Sequence, residues 1–524
     1  MGQSINGDDE IRAQVAPMTK KFYITTTLPY INSDPHIGFA MEIIRADAIA
    51  RYQRLLGNEV VFNTGTDEHG QKIYQKALEK NLTPQEYCNQ RVVKYSGLKE
   101  LLNLSFTNFI RTTDSHHVQA AQYFWQICDK NGDIYKAKYK IKYCVGCELE
   151  KTDSELIDSH CPIHPNQKLE IRKEENYFFR WSKYQQKLLN LYQKNPDFVI
   201  PQFRQGEITN FVKAGLKDFS ISRLKTKMPW GIEVPGDPEQ VIYVWFDALI
   251  NYISTLGWPK DKKTFNDFWP AVQIAGKDNL RQQSAMWQAM LMSAGLPPSR
   301  QIYIEGFITS GGEKISKSSG NIIDPYELVE KYGANPVRYY LLREIPAYDD
   351  GGFSIQRFKE VYNADLANGL GNLVARVITL AEKFSSSKVP PITQDPEKHP
   401  LMLTEIKTWK TLDKALSEYK FNETLESIWQ FISEADKYID KNKPWKLAKK
   451  DKKQFNWVLY GLLDALHQIA WQIYPFMPQT AQEIGQRLGV KKILAKNPLY
   501  KDSWTNIKPG TKIKSGKPLF PRLA

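Results

Sequence analysis

Three adjoining segments near the start restrict the fold more than anything else in the chain. KFYITTTL (21–28) alternates and is rich in β-branched residues, so it reads as a strand. PYINSDP reads as a loop. SDPHIGFAMEIIRADAIARYQ (33–53) reads as an amphipathic helix, with Asp34 as N-cap, Pro35 in the first helical position, and Ile37, Met41, Ile44 and Ala48 at helical spacing. VVFNTGT (60–66) is a second strand. Strand, helix and strand within about forty-five residues are the signature of a βαβ unit, and hence of a parallel sheet. The rhythm resumes in VIYVWF (241–246), AVQIA (271–275) and QIYIEGF (301–307), so one parallel sheet split by an insertion is expected. The interruption is a basic, aromatic stretch of roughly 130–180 that carries clustered cysteines. After about Gly352 the strand signals stop. Leu366, Leu370, Leu373, Val377 and Leu380 mark one long helix, Leu425, Ile428, Ile432 and Ile439 another, and Trp457 to Tyr474 a third. That pattern predicts a helical bundle. SSSKVPPITQDPEKHP and KNPLYKDSWTNIKPGTKIKSGK read as loops.

At 524 residues the chain is too long for a single core. No apolar run is long enough to span a bilayer. MGQSINGDDEIRAQVAPM lacks the basic-then-apolar order of a secretory signal, and Asn6 stands where myristoylation needs Ser or Thr. Residues 1–19 are therefore expected to form a flexible polar tail, and the location to be cytoplasmic. The net charge of +13 favours a polyanionic partner.

In an open parallel sheet, ligands bind beyond the carboxyl ends of the strands. Tyr30, Asp67, Trp245, Asp247, Ala248, Gly276, Lys277 and Asp278 all follow predicted strands, as does SGGEKISKSSGN. His36 lies in the first helical turn, where unpaired backbone N–H groups and the helix dipole favour an anion and an imidazole adds a donor. Gly38 has no β-carbon, so a flat base or sugar can approach the backbone. Lys314 and Lys317 flank Ile315 and Ser316 in a glycine-rich loop that can close on a polyphosphate and stabilise charge as pyrophosphate leaves.

With these motifs in this order, the chain resembles the class I aminoacyl-tRNA synthetases. His-Ile-Gly-Phe is similar to the HIGH signature of that class, and Lys-Ile-Ser-Lys-Ser to its KMSKS signature. TTTLPYINSDPHIGF, TGTDEHGQ, YVWFDALINYI and FITSGGEKISKSSGN resemble most closely the blocks of the methionyl-tRNA synthetases, from about Phe22 to the closing PLFPRL. The resemblance implies an α/β, Rossmann-like parallel-sheet catalytic domain with a zinc-knuckle insertion, followed by an all-α helical bundle. It implies methionine activation by ATP to methionyl-adenylate, then transfer to the 3' end of tRNA(Met), with Mg2+ accompanying ATP. His36 and Gly38 are then expected at the phosphates and ribose, Lys314 and Lys317 on the pyrophosphate side, and Asp278 near the ATP ribose. Asp67 can pair with the methionine ammonium, while Leu28, Tyr30, Trp245, Ala248, Leu249 and Tyr252 wall the side chain. Two positions depart from the family pattern. Phe39 replaces the second signature histidine, and Gln283 falls where many members carry a pocket histidine.

Cys144, Cys147, Cys161 and His164 read C-x2-C-x13-C-x2-H, two short chelating pairs that suit one structural Zn2+ per chain. His160 is the rival nitrogen ligand, but it directly precedes Cys161 and suits chelation less well. The insertion is too short for the editing domain of the valine, isoleucine and leucine enzymes. In the bundle, Asn372 and Arg376 share a helix face and Trp445 lies in KNKPWKLAKK. Asn, Arg and Trp supply the edge bonds and stacking planes that unstacked bases need, and the blocks NLVAR and KPW resemble the family's anticodon-binding region. The expected domains are a tail (1–19), the catalytic domain (20–116 and 227–313), the insertion (117–226), the KISKS loop and stem-contact region (314–355) and the anticodon-binding bundle (356–524). A monomer is expected. The alternatives are a non-catalytic tRNA-binding paralogue, which Phe39 invites, and another class I synthetase.

Overall fold

The computed structural model describes residues 20–147, 149–151, 156–310, 313–314, 323–490 and 507–523. Six strands form the central sheet: β1 (Lys21–Thr26), β2 (Glu59–Thr66), β3 (Asn108–Arg111), β4 (Val199–Ile200), β5 (Val272–Gly276) and β6 (Gln301–Glu305). Their spatial order is β3-β2-β1-β5-β6-β4, and every neighbouring pair is parallel. From Phe22 onward β1 is buried on both faces, which is why it is apolar or hydroxylic throughout rather than amphipathic. The chain winds outward from β1 to β2 and β3, then restarts on the other side with β5 and β6. The break between β1 and β5 is a topological switch point, where a crevice opens beyond the strand ends. β3 and β4 are too short to stand out in the sequence, and β4 lies within the stretch 117–226.

The VIYVWF segment does not join this sheet. Asp237–Ile242 is the middle strand of a small antiparallel sheet, between Ser222–Leu224 and Glu233–Val234. The chain then turns helical at Val244–Ala248. The run is apolar because both its strand half and its helical half are buried. An apolar run of this length does not distinguish the two.

Helix α1 (Ile37–Leu55) also departs from expectation at its start and in its burial. His36, not Asp34, is the N-cap, and the helix begins at Ile37. Asp34 instead pairs with Arg91 and, at 2.7 Å, with Lys94. The helix is buried nearly all round rather than on one face, including Glu42, Arg45, Asp47 and Arg51. It is covered by the sheet on one side and by later helices on the other. Label α2 is given to Val244–Ala248 and α3 to Ala334–Arg343, which packs directly on α1.

Between β3 and β5 a long hairpin, Ile134–Cys144 against Glu170–Phe179, runs antiparallel from Ile134↔Phe179 to Tyr143↔Glu170. It carries the cysteines at its far end. Beyond Gly352 the elements among the described residues are helices, with a π-helical stretch at Tyr362–Gly371 before α4 (Asn372–Phe384). The bundle continues with α5 (Pro400–Ser417), α6 (Phe421–Asn442), α7 (Pro444–Lys450) and α8 (Lys452–Ile473). One continuous hydrophobic core includes α1, one face of the sheet and the bundle. A second core lies on the other face, beneath the base of the hairpin. No helix among the described residues is long and apolar enough to cross a membrane.

Candidate active site

A cleft of about 410 Å³ opens at the switch point. It is lined from β1 by Leu28 and Tyr30, from α1 by His36, Gly38 and Phe39, from β2 by Asp67, and from the turn after β5 by Asp278. Trp245, Ala248, Leu249, Tyr252 and Gln283 line it as well. Every residue expected at ATP or methionine other than the two lysines therefore faces one cavity.

His36 Nδ1 accepts from the Gly38 amide at 3.1 Å and so caps α1. A neutral ring that accepts at Nδ1 carries its proton at Nε2, so the imidazole is a donor beside the helix N-terminus. Gly38 has a reason in this packing too: a β-carbon there would lie 3.0 Å from the capping imidazole. Phe39 packs against Tyr95 at 5.9 Å, and the Tyr95 hydroxyl donates to Ser33 O at 3.0 Å. The position of the missing histidine is thus part of an aromatic wall.

Glu313–Lys314 pairs antiparallel with Ile308–Ser310, the strand directly after β6, with Thr309 opposite Lys314. Lys317 lies outside the described residues. The far side of that loop is tied to α1, because Ile37 N donates to Ile323 O at 3.1 Å. Lys314 thus follows the strand after β6, and Ile323 lies beside the helix tip that bears His36.

Two buried carboxylates in the cleft escaped sequence reasoning. Glu42 Oε1 accepts from Thr27 N and Oγ1, both at 2.7 Å, and Glu305 meets Arg45 at 3.1 Å. Burial raises the Glu42 pKa well above its ordinary value, helped by Glu305 and Asp278 and opposed by the Thr27 bonds. Burial also raises Glu305, to about 7, with Arg45 opposing and Asp278 adding. Their only sequence signal is a charged residue inside an otherwise apolar run. Asp278 sits on the 3-10 turn Lys277–Asn279, and a β-carbon on Gly276 would come within 2.9 Å of its carboxylate.

At the other end, Tyr30 and Asp67 form a β-bridge, with Asp67 N donating to Pro29 O at 3.0 Å. Trp245 and Ala248 ride on α2, which is held by a buried pair of histidines. Asp247 meets His69 Nδ1 at 2.7 Å and His117 Nε2 at 2.8 Å, and His117 Nδ1 meets Ser254 at 2.9 Å. Burial opposes ionisation of Asp247, but the two imidazoles outweigh it and lower its pKa. His69 and His117 are the second class of residue that sequence reasoning missed. TDEHG contains His69, but its partner lies 178 residues away.

The donor atoms of Cys144, Cys147, Cys161 and His164 all lie within 4.8 Å of one another. Cys147 Sγ is 3.3 Å from Cys161 Sγ and 3.2 Å from His164 Nδ1, and Cys144 Sγ is 3.8 Å from His164 Nδ1. Around a tetrahedral Zn2+ such atoms stand about 3.6–3.8 Å apart, so the donor set and its spacing fit that ion. Burial opposes ionisation of Cys161, yet Cys147 and the amides of His164 and Ile163 hold its pKa below the ordinary thiol value. His160 is exposed, with its ring on Asp158 O at 2.7 Å, outside the cluster. The knuckle touches the cleft: Cys147 lines it, and Lys72 donates to Gly146 O at 2.9 Å.

In the bundle, Asn372 is exposed at the start of α4. Arg376, one turn on, meets Asp436 and Asp440 of α6, both at 2.5 Å. Trp445 opens α7, which packs on α4, and is 39% exposed. An apolar ring of that size left partly in water is available for stacking.

The family described as tRNA synthetases class I (M) matches residues 22–168 and 145–378, and the anticodon-binding domain of tRNA ligase matches 405–515. The methionine–tRNA ligase of Thermotoga maritima is 42% identical over 96% of this chain and 80% of its own. That of Thermosynechococcus vestitus is also 42% identical, over 90% of each chain. Among solved structures, the Mycobacterium tuberculosis methionyl-tRNA synthetase in complex with methionyl-adenylate superposes with a TM-score of 0.90 at 37% identity, covering 96% of this chain and all of the other. Its free state gives a TM-score of 0.83. Likeness in sequence and fold over 96% of the chain, joined to a cleft that gathers His36, Gly38 and the residues expected around methionine, has one consequence: the chain belongs to the methionyl-tRNA synthetases of class I and is a methionine–tRNA ligase.

Proposed function

We propose that the cleft performs both steps of methionyl-tRNA formation by positioning and electrostatics, without a protein nucleophile. In the first step a methionine carboxylate oxygen attacks the α-phosphorus of ATP. The bond from that phosphorus to the β-phosphate oxygen breaks, giving methionyl-adenylate and pyrophosphate. In the second, a hydroxyl of the terminal tRNA ribose attacks the activated carbonyl and AMP leaves. His36 Nε2–H and the first-turn amides of α1 serve the phosphates, Gly38 gives the nucleotide close access, and Asp278 serves the ribose. Lys314 and Lys317 neutralise the pyrophosphate as it departs. Mg2+ bound with ATP supplies further charge neutralisation. Asp67 pairs with the ammonium, and Leu28, Tyr30, Trp245, Ala248, Leu249, Tyr252 and Gln283 enclose the thioether chain.

The observation that carries this reading is the single cleft joining the His36 helix tip to the Trp245–Tyr252 wall. The complex of the Mycobacterium tuberculosis relative with methionyl-adenylate supports it. One Zn2+ per chain would be held by Cys144, Cys147, Cys161 and His164 in a closed, structural site. Asn372, Arg376 and Trp445 read the anticodon of tRNA(Met). The enzyme works as a monomer in the cytoplasm.

ATP–pyrophosphate exchange against all twenty amino acids tests the reading. Exchange stimulated by methionine alone supports it, and exchange with none favours the binding paralogue that Phe39 invites. Trp445→Ala should raise the tRNA KM strongly and leave exchange nearly unchanged. Equal loss of both would assign Trp445 to folding.

A further inference from the structure

We infer that four side chains behind the pocket, Gln288, Ser299, Gln273 and Gln283, form a one-way hydrogen-bond relay that turns the Tyr252 hydroxyl proton toward the bound amino acid. This rests on the methionine-pocket reading above. The direction of the relay is set by backbone groups, which cannot reverse roles. Ser299 N donates to Gln288 Oε1 at 2.9 Å, and Gln288 Nε2 donates to Gln283 O at 2.8 Å. The Gln288 amide therefore has one orientation. Its Nε2 also reaches Ser299 Oγ at 3.0 Å, so that oxygen accepts and sends its own proton to Gln273 Oε1. Gln273 Nε2 then donates to Gln283 Oε1 at 3.2 Å, and Gln283 Nε2 to the Tyr252 hydroxyl at 2.7 Å.

All five residues are buried, at 0% to 4% exposure, so no solvent competes for these bonds. The Tyr252 ring packs on Trp287 at 5.9 Å, and its carbonyl accepts from the Tyr23 hydroxyl at 2.9 Å. Gln283 lies in the π-helical turn Gln282–Met286, a distortion that recurs at functional sites. With Gln283 donating to it, the Tyr252 oxygen is an acceptor on its inner side. Among the described residues no protein oxygen takes its proton, and Tyr252 lines the cleft. The hydroxyl thus meets the ligand as a donor, and the weak acceptor of a thioether side chain is the sulfur. Norleucine, with a methylene in place of sulfur, would leave that donor unpaired. A site built to hydrogen-bond a substrate atom rejects the analogue that lacks it.

The experiment measures KM for methionine and for norleucine in pyrophosphate exchange. It compares the wild type, Tyr252→Phe, Gln273→Leu, and Gln273→Leu combined with Ser299→Ala so that no hydroxyl is orphaned. Gln273 does not line the cleft. Without its donor, the Gln283 amide can turn its oxygen to Tyr252 and take the proton inward. The expected result is that KM(norleucine)/KM(methionine) falls about tenfold in both Gln273 variants, reaching the Tyr252→Phe value, through a rise in the methionine KM alone. An inactive fraction scales kcat and leaves both KM values untouched, so partial misfolding cannot imitate this. If both KM values rise together, or if Tyr252→Phe lowers the ratio while the Gln273 variants do not, the relay is refuted and the pocket stands. If Tyr252→Phe itself leaves the ratio unchanged, the pocket assignment fails.

Discussion

Phe39 shows how a single departure from a signature is absorbed. Its ring faces the cleft and is backed by Tyr95, and the mechanism proposed above assigns the phosphates to His36, the α1 amides and the two lysines, none of which Phe39 displaces. Wild-type exchange should therefore be readily measurable, and Phe39→His should change the ATP KM by less than about tenfold, the scale of one hydrogen bond. Exchange that appears only in Phe39→His would show the natural residue to be incompatible with catalysis. Cys161 is a second residue-scale case. Cys161→Ser removes one of the four candidate ligands, whose donor atoms all lie within 4.8 Å of one another. The variant should hold less than one zinc by elemental analysis. Methionine turnover should fall with it, because the knuckle touches the cleft through Cys147 and Lys72.

At the scale of elements, the bundle contains an acid-sensitive layer. His399 caps α5, accepting from Leu401 N at 3.2 Å, and its ring lies 4.7 Å from that of Trp457 on α8. His467 of α8 accepts from Trp471 at 3.0 Å. Burial lowers each pKa from 6.5 to about 4. Both are bound neutral, so the folded state holds fewer protons than the unfolded one across that window. Their stability contribution is full above about pH 6.5 and is lost as pH falls toward 4, at roughly 3 kcal/mol for each histidine. Thermal melts should show the bundle weakening between pH 6.5 and 4, less so in His467→Gln. The α5–α8 contact also depends on Gly461, where a β-carbon would stand 2.0 Å from His399 Nε2. Gly461→Ala should lower the melting temperature although alanine is the better helix former; an unchanged melting temperature would mean that the two helices can separate freely.

Across the whole molecule, α1 is where the catalytic sheet and the bundle are fastened together. Asp47 meets Arg51 at 2.8 Å and Arg338 of α3 at 2.7 Å, all of them buried. Arg51 reaches the Tyr474 hydroxyl at 2.9 Å, and Arg338 the carbonyls of Phe476 at 2.7 Å and Pro475 at 3.0 Å, beyond the end of α8. Asp47→Asn leaves two buried guanidinium groups without their counter-charge, which should cost about 3–5 kcal/mol in chemical denaturation. A loss below about 1 kcal/mol would show that the carbonyls alone hold the arginines. Because α1 carries His36 at its other end, the helix proposed to present the phosphates is clamped to the helical bundle.

Much of this was legible in the sequence because it is local. Strand alternation, a cysteine spacing and a glycine beside a histidine are short-range patterns, and they pointed to the parallel sheet, the knuckle and the cleft-lining residues. What stayed hidden depends on partners distant in the chain. VIYVWF reads as a strand of the main sheet because an apolar run records burial and not its geometry. Asp34 reads as a cap because a cap is inferred from residue type, whereas Arg91 and Lys94 claim its carboxylate and leave the task to His36. Glu42, Glu305, His69 and the glutamines behind Tyr252 are ordinary polar residues until the fold removes water from around them. Only then do their protons and charges acquire a fixed direction. The sequence by itself determined which elements form and which chemical groups they bring to the sheet edge; the tertiary structure alone decided which of those groups are buried against one another, and burial is what sets the energy and orientation of a polar contact.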